Sequence, residues 1–448
     1  MSKSIRIRKG VNIRLVGEAN KTIESPKLAD IYAVRPPNFH SVVPKMLVKA
    51  GEQVKAGDPI FYAKGNEEIK FCAPVSGEVG EIIRGEKRRI LEVRIKADRE
   101  VQYADQGSLA SGASSDAVKS KLLSSGLWPF LRQRPYDIIA DPNDQPRAIY
   151  VSGFDSAPLA PDAAFVMESK MENFQKGIDA LAALGGKPVQ LGVESGSSLY
   201  DGVKNASIHQ VSGPHPAGNV GVQIHHTSPI NKGEVVWYVD YQDVANIGHV
   251  LNTGKFEVTR TVAFAGSCCK SPQYYNYTLG ASVKSEVAAQ MNEDNCRVIS
   301  GNVLTGEAIA KDGFLGYFDN VVSMIPEGTE PQFLLTRGWL SPGLHKHSVS
   351  HSYPSWLMKG KQYDLTTNLN GEERAFVVTG QYEKVFPFDI YPVQLIKSIM
   401  ANDIDKMEKL GIYEVAPEDF ALCEYVCTSK LNVQSIVREG LDLMKSES

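Results

Sequence analysis

This sequence has no long hydrophobic run, few cysteines and only a small excess of negative charge. No stretch approaches the ~20 apolar residues of a membrane-spanning helix, and the basic residues 1–17 lack the apolar core of a signal peptide, so we expect a cytosolic chain. Six cysteines in 448 residues are too few for a disulfide scaffold and are expected to be thiols or metal ligands. The formal net charge of −4 argues against a dedicated nucleic-acid-binding protein.

The first part of the chain has the pattern of an all-β domain, to which we assign residues 1–102. Alternating residues between positions 3 and 16 indicate short strands at the start of this domain. Residues 42–97 consist of short apolar runs separated by glycines at intervals of 6–12 residues. Tight turns at this spacing are typical of a sandwich or barrel. The small, polar residues 103–116 then predict a linker or long loop.

Residues 103–255 have the alternating strand and helix pattern of an α/β domain. AIYVSGF at 148–154 and KPVQLGV at 187–193 predict buried strands, with an amphipathic helix between them. Strand, helix and strand in this order predict a right-handed parallel crossover. A further strand at 235–240 and the helix after it indicate a doubly wound, Rossmann-like domain, although periodicity alone does not show that a nucleotide binds there.

The remaining chain divides into three parts by pattern. Residues 256–330 return to β character around a short helix at 282–290 and predict a small, β-grasp-like module. Residues 331–385 are rich in Gly, Pro, Ser and His and indicate only an irregular or β segment. Residues 386–448 predict a helical domain, in which Asn402 is expected to cap a helix.

Two groups of side chains have the composition of metal sites. Cys423 and Cys427 share a face of a predicted helix, but no second pair stands nearby to complete the four thiolates of an iron–sulfur cluster. His345, His347 and His351 have a spacing at which three imidazoles can bind zinc, but no paired carboxylate motif accompanies them. The residues favour buried thiols in the first case and a surface loop in the second.

The sequence WPFLRQRPYD interleaves aromatic and basic side chains. Trp128, Phe130 and Tyr136 alternate with Arg132 and Arg134. This set suits a flat ligand with carbonyl acceptors, such as a quinone, because aromatic faces stack on the ring and guanidinium N–H groups donate to the oxygens. The same side chains are typical of a contact between domains. The residues favour the interdomain contact and leave the quinone open.

Longer motifs extend over essentially the whole chain and carry a family resemblance. They are GVNIRLVGEA (10–19), KAGEQVKAGDPIF (49–61), APVSGEVGEIIRGEKR (73–88), WPFLRQRPYD (128–137), GPHPAG (213–218), NYTLGAS (276–282), VISGNVLTG (298–306), YEKVFPFDI (382–390) and ALCEYVC (421–427). With these motifs the chain resembles the A subunits of the Na+-translocating NADH:quinone reductases, the sodium-pumping respiratory complexes of bacteria.

That family is similar to the C subunits of Rnf complexes and to the flavin subunit of respiratory complex I. The likeness implies a barrel-sandwich hybrid of the biotinyl/lipoyl type, then a Rossmann-like domain, a β-grasp-like module and a C-terminal helical domain. It also implies losses. WPFLRQRPYD stands where flavin subunits have a glycine-rich loop, and bulky side chains there keep the backbone away from a phosphate. Only Cys423 and Cys427 remain of the cluster ligands. We therefore expect no flavin, nucleotide, metal or iron–sulfur cluster on this chain.

The resemblance implies a complex that oxidises NADH, reduces quinone (ubiquinone is one such substrate) and exports Na+, with NADH, flavin and iron–sulfur chemistry in its other subunits. We expect this chain to be a peripheral subunit on the cytoplasmic face of the bacterial inner membrane, assembled with the five other subunits (B to F) and docked on the membrane-embedded B component. Two roles stay open, namely participation in quinone reduction through a quinone site and a purely structural scaffold. No residue is assigned as catalytic. The residues expected to bind quinone are Tyr32, Arg35, Phe130, Arg132, Arg134 and Tyr136.

Overall fold

The N-terminal strands build two small β-sheets. The structure is a computed structural model that describes residues 3–447. Its first strands are β1 (Ser4–Arg6), β2 (Asn20–Glu24), β3 (Ile31–Val34), β4 (Pro44–Met46), β5 (Gln53–Val54), β6 (Pro59–Ala63), β7 (Asn66–Cys72), β8 (Gly77–Arg84) and β9 (Ile90–Ala97). One sheet has the order β3-β9-β8-β5 and the other β4-β6-β7. Phe61 stacks on Phe71 at 4.6 Å between ring centroids, and both side chains are buried. The predicted glycine-rich β architecture is confirmed.

The α/β part places four parallel strands side by side. Its elements are α1 (Ser115–Ser124), β10 (Arg132–Arg134), β11 (Ile138–Ile139), β12 (Ile149–Ser152), α2 (Ala163–Met167), α3 (Met171–Gly185), β13 (Val189–Glu194), β14 (Ala206–Ser212), α4 (Val220–Thr227), β15 (Val236–Asp240) and α5 (Tyr241–Thr253). The sheet has the order β1-β14-β13-β12-β15-β10-β11, in which β14, β13, β12 and β15 are parallel. The predicted parallel connection from β12 through α3 to β13 is confirmed.

Helices α3 and α5 pack closely because glycines stand where they cross. A Cβ on Gly177 would lie 2.0 Å from the carbonyl oxygen of Val244, and one on Gly248 would lie 1.8 Å from that of Asn173. Both distances are far below van der Waals contact, so a larger residue at either position forces the helices apart. This packing fixes the two helices against each other.

A mixed sheet follows the α/β part. Its elements are β16 (Thr259–Ala265), β17 (Gln273–Thr278), α6 (Lys284–Gln290), β18 (Cys296–Ser300), β19 (Glu307–Ile309) and β20 (Val321–Pro326). The strand order is β19-β18-β20-β16-β17-β2, so β2 from the N-terminal part forms one edge. The short helix predicted at 282–290 is confirmed as α6.

The first strand joins a sheet that the sequence does not indicate. The alternation between positions 3 and 16 correctly predicts a strand, but β1 pairs with β14 of the parallel sheet, with Ser4 opposite Gln210. β1 thus precedes the two N-terminal β-sheets in the sequence but is not a strand of either. A three-residue strand carries too little pattern to specify which distant sheet edge it will extend.

Turns and helices complete the described chain. The helices are α7 (Tyr382–Val385), α8 (Pro392–Met400), α9 (Ile404–Lys409), α10 (Ala421–Val426) and α11 (Val433–Glu447). Residues 327–381 consist mostly of turns, with a 3-10 turn at Pro354–Leu357. Asp403, and not Asn402 as expected, caps α9, because the Asp403 carboxylate accepts from the N–H of Lys406 at 3.1 Å. Within residues 3–447, no helix is long and apolar enough to cross a membrane.

Candidate functional site

Residues 128–137, here called the arginine segment, run along the edge of the parallel sheet. The ring of Trp128 meets Trp237 of β15 edge-on at 5.5 Å, and the ring of Phe130 stacks on Tyr317 at 5.3 Å. Neither Trp128 nor Phe130 has any solvent-exposed surface. Trp128 and Phe130 are thus packed between the parallel sheet and the loop that precedes β20, whereas the ring of Tyr136 meets that of Tyr413.

Arg134 connects the parallel sheet to the C-terminal helices through three acceptors. Its side chain is fully buried. Nη1 donates to the carboxylate of Asp419 and, at 3.1 Å, to the carbonyl oxygen of Glu414, and Nη2 donates to Glu418 at 2.7 Å. Since a buried charge needs partners to offset its desolvation, these bonds fix the turn before α10 against β10.

Arg132 lies between two aromatic rings. Its guanidinium carbon is 4.5 Å from the ring centroid of Tyr238 and 4.6 Å from that of Phe318. Cation–π contacts of this kind stabilise a cation that has lost part of its hydration. Arg132 therefore connects β15 with the loop that precedes β20.

Asp137 attaches the end of the arginine segment to the last helix. Its carboxylate accepts from the Tyr238 hydroxyl and from Nη2 of Arg438 at 3.0 Å. Nη1 of Arg438 donates to the carbonyl oxygen of Tyr136 at 2.6 Å. Burial opposes the ionisation of Asp137, but the cations of Arg132 and Arg438 hold its pKa below its ordinary value. The arginine segment, β15 and α11 thus form one connected network.

The two carboxyl groups opposite Arg134 ionise less readily than in water. Burial raises the pKa of Asp419 and raises the pKa of Glu418 to about 7, while Arg134 acts in the opposite direction on both. Loss of the guanidinium would therefore leave two adjacent carboxyl groups without their main stabilising charge.

Tyr32 and Arg35 lie between the N-terminal β-sheets and the mixed sheet. Tyr32 is buried, and burial raises the pKa of its hydroxyl. Nη2 of Arg35 donates to Glu307 at 3.1 Å, whereas its Nε and Nη1 have no hydrogen-bond partner within the described chain. Arg35 and Phe314 both line a cleft of about 290 Å³. This cleft combines two guanidinium groups with an aromatic ring, because Arg94 also lines it and lies 5.5 Å from the ring centroid of Phe314.

Tyr317 connects the two groups of candidates. Its ring stacks on Phe130 and meets Phe39 edge-on at 4.7 Å, and Phe39 ends the short 3-10 turn that begins directly after Arg35. Tyr32 and Arg35 therefore lie outside the arginine segment, and Phe39 and Tyr317 connect Arg35 to Phe130. The candidates that the structure places on one segment are Phe130, Arg132, Arg134 and Tyr136.

A second charged cluster lies at the carboxyl end of β15 and was not predicted. Arg260, which is fully buried, donates to Asp243 and to Asn320 (2.7 Å), and lies 3.5 Å from Asp240. Burial raises the pKa of Asp243 to about 6, with Arg260 opposing the rise. Asp240 is the last residue of the buried strand β15 and could have signalled this cluster. Arg260 stands inside an apolar strand, and no pattern signals its pairing.

The carboxyl ends of β12 and β13 border a cleft of about 310 Å³. Its lining includes Asp155, Asp162 and Glu194, together with Lys21, which pairs with Asp162 at 2.6 Å. Open α/β sheets bind ligands at this edge, where phosphate groups meet glycine-rich backbone and a helix N-terminus. The excess of carboxylates disfavours a phosphate group in this cleft.

The side chains that resemble metal ligands have other partners. Within the described residues, no group of three or more His, Cys, Asp or Glu side chains is arranged to hold a metal ion. Burial raises the pKa of Cys423, and Cys427 accepts a hydrogen bond from the Tyr382 hydroxyl at 3.0 Å. Nδ1 of His347 lies 2.8 Å from the Tyr425 hydroxyl.

Comparison with known proteins decides the family. Family models match the chain as "NqrA N-terminal barrel-sandwich hybrid domain" over residues 5–98, "NqrA second alpha/beta domain" over 113–256 and "NQRA C-terminal domain" over 261–311. The A subunit of the Na(+)-translocating NADH-quinone reductase of Marinomonas sp. (strain MWYL1) is 36% identical over 446 residues, which cover 99% of each chain. The chain belongs to the NqrA family.

Two further members of the NqrA family match this chain over their full length. The A subunit from Yersinia pestis bv. Antiqua (strain Angola) is 35% identical and that from Pseudomonas aeruginosa (strain UCBPP-PA14) is 36% identical, each over 99% of this chain and all of the relative. The resemblance inferred from the motifs is confirmed, as is a barrel-sandwich hybrid followed by an α/β domain.

Proposed function

We propose that this chain works in a Na+-translocating NADH:quinone reductase, where it takes part in the reduction of quinone to quinol that is coupled to Na+ export from the cytoplasm. The observation that carries this proposal is the identity of 35–36% over 99% of the chain to proteins named as the A subunits of such complexes. A likeness over the full length, rather than over one domain, supports the same place in the assembly.

Within the complex we assign the chain a peripheral position on the cytoplasmic face of the bacterial inner membrane, with docking on the membrane-embedded B component and assembly with the C to F components. It acts without a flavin, a bound nicotinamide cofactor or an iron–sulfur cluster of its own. Asp155 and Glu194 in the cleft at the sheet edge support this assignment, because they oppose a phosphate-bearing cofactor.

The domain division that we propose follows from pattern and topology together. The parallel strands have the order β14-β13-β12-β15, so that β13 and β14 are added on one side of β12 and β15 on the other. This order supports a Rossmann-like α/β domain. The mixed sheet with α6 supports a β-grasp-like module. The proposed parts are 1–102 (an N-terminal β domain with the barrel-sandwich hybrid), 103–255 (Rossmann-like), 256–330 (β-grasp-like), 331–385 (irregular or β) and 386–448 (helical).

The geometry divides the six quinone candidates into two roles. Arg132 and Arg134 of the arginine segment have partners within the chain. These contacts connect the parallel sheet with the loop that precedes β20 and with the C-terminal helices. Arg35 lines a cleft together with Phe314. A guanidinium donor beside an aromatic face fits a quinone carbonyl and ring, so we assign the quinone contact to the Arg35 cleft and a positioning role to the arginine segment.

Equilibrium dialysis of the purified chain against a short-chain quinone tests this assignment. We expect saturable binding that Arg35→Gln weakens by about tenfold, since hydrogen bonds to charged groups contribute about 1.5–3 kcal/mol. Arg297→Gln is the matched control, because Arg297 is a partly exposed arginine of the mixed sheet that pairs with Glu327. Arg297→Gln is expected to bind quinone like the wild type.

The alternative is a scaffold without a quinone site of its own. The ion pairs of the buried Arg134 side chain favour it, because they give the arginine segment a structural role. The same dialysis decides between the two. Absence of saturable binding, or binding that Arg35→Gln leaves unchanged, removes the quinone role from this cleft and leaves the scaffold.

A further inference from the structure

The four tryptophans of the chain fall into two classes. Trp128 and Trp237 are buried, with 0% and 2% of their surface exposed, whereas Trp339 and Trp356 are 70% and 50% exposed. Exposing an indole forfeits a large burial free energy, and tryptophan is enriched where one side of a surface is apolar and the other wet. The exposed pair is therefore the part of the chain where we look for a contact surface.

Both exposed tryptophans belong to residues 333–361, here called the tryptophan segment. The other large apolar side chains that it exposes by half or more are Phe333, Leu335, Leu340, Leu344 and Leu357. The segment contains no aspartate or glutamate, and its cations are Arg337, Lys346, Lys359 and Lys361. Its formal charge is thus +4, in a chain whose net formal charge is −4.

Hydrogen bonds within the tryptophan segment hold its turns in place. The Tyr353 hydroxyl donates to the carbonyl oxygen of Trp339 at 3.1 Å and so joins the turns that carry the two tryptophans. The N–H of Ser348 donates to Oγ of Ser355, which in turn donates to the carbonyl oxygen of Ser348. Just beyond the segment, the N–H of Tyr363 donates to the carbonyl oxygen of Arg14 at 2.8 Å. The exposed apolar side chains therefore lie on a loop whose turns are held by hydrogen bonds.

We propose that the tryptophan segment binds the surface of a lipid bilayer that is rich in anionic headgroups. Indole rings sit at the level of the headgroups, where their apolar face meets the acyl chains and their N–H stays hydrated. Charge of one sign around exposed aromatic and leucine side chains complements a surface that is negative over its whole area. The bilayer contact goes beyond the assignment of the chain to an enzyme complex, and it does not depend on a quinone site.

Co-sedimentation of the full chain with vesicles tests the proposal. We expect binding to vesicles of phosphatidylcholine with phosphatidylglycerol, little binding to phosphatidylcholine alone, and weaker binding as salt increases. The double variant Trp339→Ser with Trp356→Ser should bind about tenfold or more weakly, because each indole loses its apolar contact. Brominated lipids should quench the fluorescence of the wild type, and this quenching should disappear in the double variant.

Two further variants separate the contribution of the cations from that of the tryptophans. Arg337→Ser with Lys359→Ser, which removes two exposed cations, should weaken binding to anionic vesicles by about fivefold per charge. Tyr391→Ser is the control for loss of an exposed aromatic ring, because Tyr391 is 69% exposed and lies outside the segment. It should bind vesicles like the wild type, and thermal unfolding should be alike for all variants.

The proposal is overturned if the chain does not bind anionic vesicles, or if the double tryptophan variant binds them as the wild type does. Equal binding to neutral and anionic vesicles also overturns it. A chain that ignores vesicles but needs Trp339 and Trp356 to assemble with the rest of the complex would identify the segment as a protein-docking surface instead.

Discussion

Arg134 and Asp419 stand 285 residues apart in the sequence and form an ion pair in which neither side chain is exposed to solvent. The pair joins β10, which lies antiparallel beside β15 in the α/β sheet, to the turn that precedes α10. Because a buried charge without its partner is far more costly than a solvated one, the position of the C-terminal helices depends strongly on this one arginine.

Replacing Arg134 by methionine is expected to destabilise the chain by about 3–5 kcal/mol, because Asp419 is left buried without its partner. The free energy of unfolding in urea measures the effect. Arg297→Met, which breaks a partly exposed pair with Glu327, should cost less than about 1 kcal/mol. Comparable losses in both variants would contradict the structural role of the buried pair.

Gly248→Ala in α5 is expected to destabilise the chain by about 1–3 kcal/mol, since the new methyl group overlaps the carbonyl oxygen of Asn173. Helix propensity alone predicts a gain of about 1 kcal/mol, so the sign of the change is the test. Gly65→Ala is the control, because a Cβ there meets nothing within 4 Å. A more stable Gly248→Ala would show that α3 and α5 do not approach as closely as the structure has them.

Elements that depend on local pattern could be predicted from the sequence. The order β12, α3, β13 follows from two apolar strands and a helical period between them, and α6 follows in the same way. The sheet joined by β1 could not be predicted, since a short strand fits many edges. Likewise, WPFLRQRPYD indicates a contact between domains, but nothing near Arg134 in sequence identifies Asp419 as its partner.

The charged cluster around Arg260 shows the same limit at the candidate site. Asp240 ends β15 and could be placed at the carboxyl end of that strand from the sequence. Its approach to Arg260 arises only when the mixed sheet packs on the α/β part, and such long-range packing leaves no periodicity to detect. The family resemblance supplies the architecture but not these partners.

Acid is expected to weaken the fold through His215. Burial lowers the pKa of this imidazole to about 4, against about 6.5 in the unfolded chain. The unfolded state therefore takes up the proton first. The contribution of His215 to the free energy of unfolding is fully present above about pH 6.5 and falls by about 3 kcal/mol as the pH decreases to 4. Urea unfolding at pH 7.5 and 5.0 measures this component. His215→Asn should lack it, and an unchanged pH dependence in that variant would assign the acid sensitivity to other groups.

Alkaline pH is expected to act in the opposite direction through Lys170. Burial lowers the pKa of Lys170 to about 8, although its ammonium donates to Gln242 and Thr261. Since the folded chain loses the proton more readily than the unfolded chain, this group adds stability as the pH rises from about 8 to 10.5. Lys170→Met should abolish that rise. Urea unfolding at pH 7.5 and 9.5 compares the two chains, and parallel curves would contradict the low pKa.

Activity of the complex assembled with and without this chain tests the central claim most directly. NADH oxidation by an artificial electron acceptor, quinone reduction and Na+ uptake into vesicles are measured on the same preparations. Without the chain, we predict that NADH oxidation by the artificial acceptor persists while quinone reduction and Na+ uptake are lost, and that the added wild-type chain restores both. Quinone reduction at the full rate in the absence of the chain would contradict its part in that reaction.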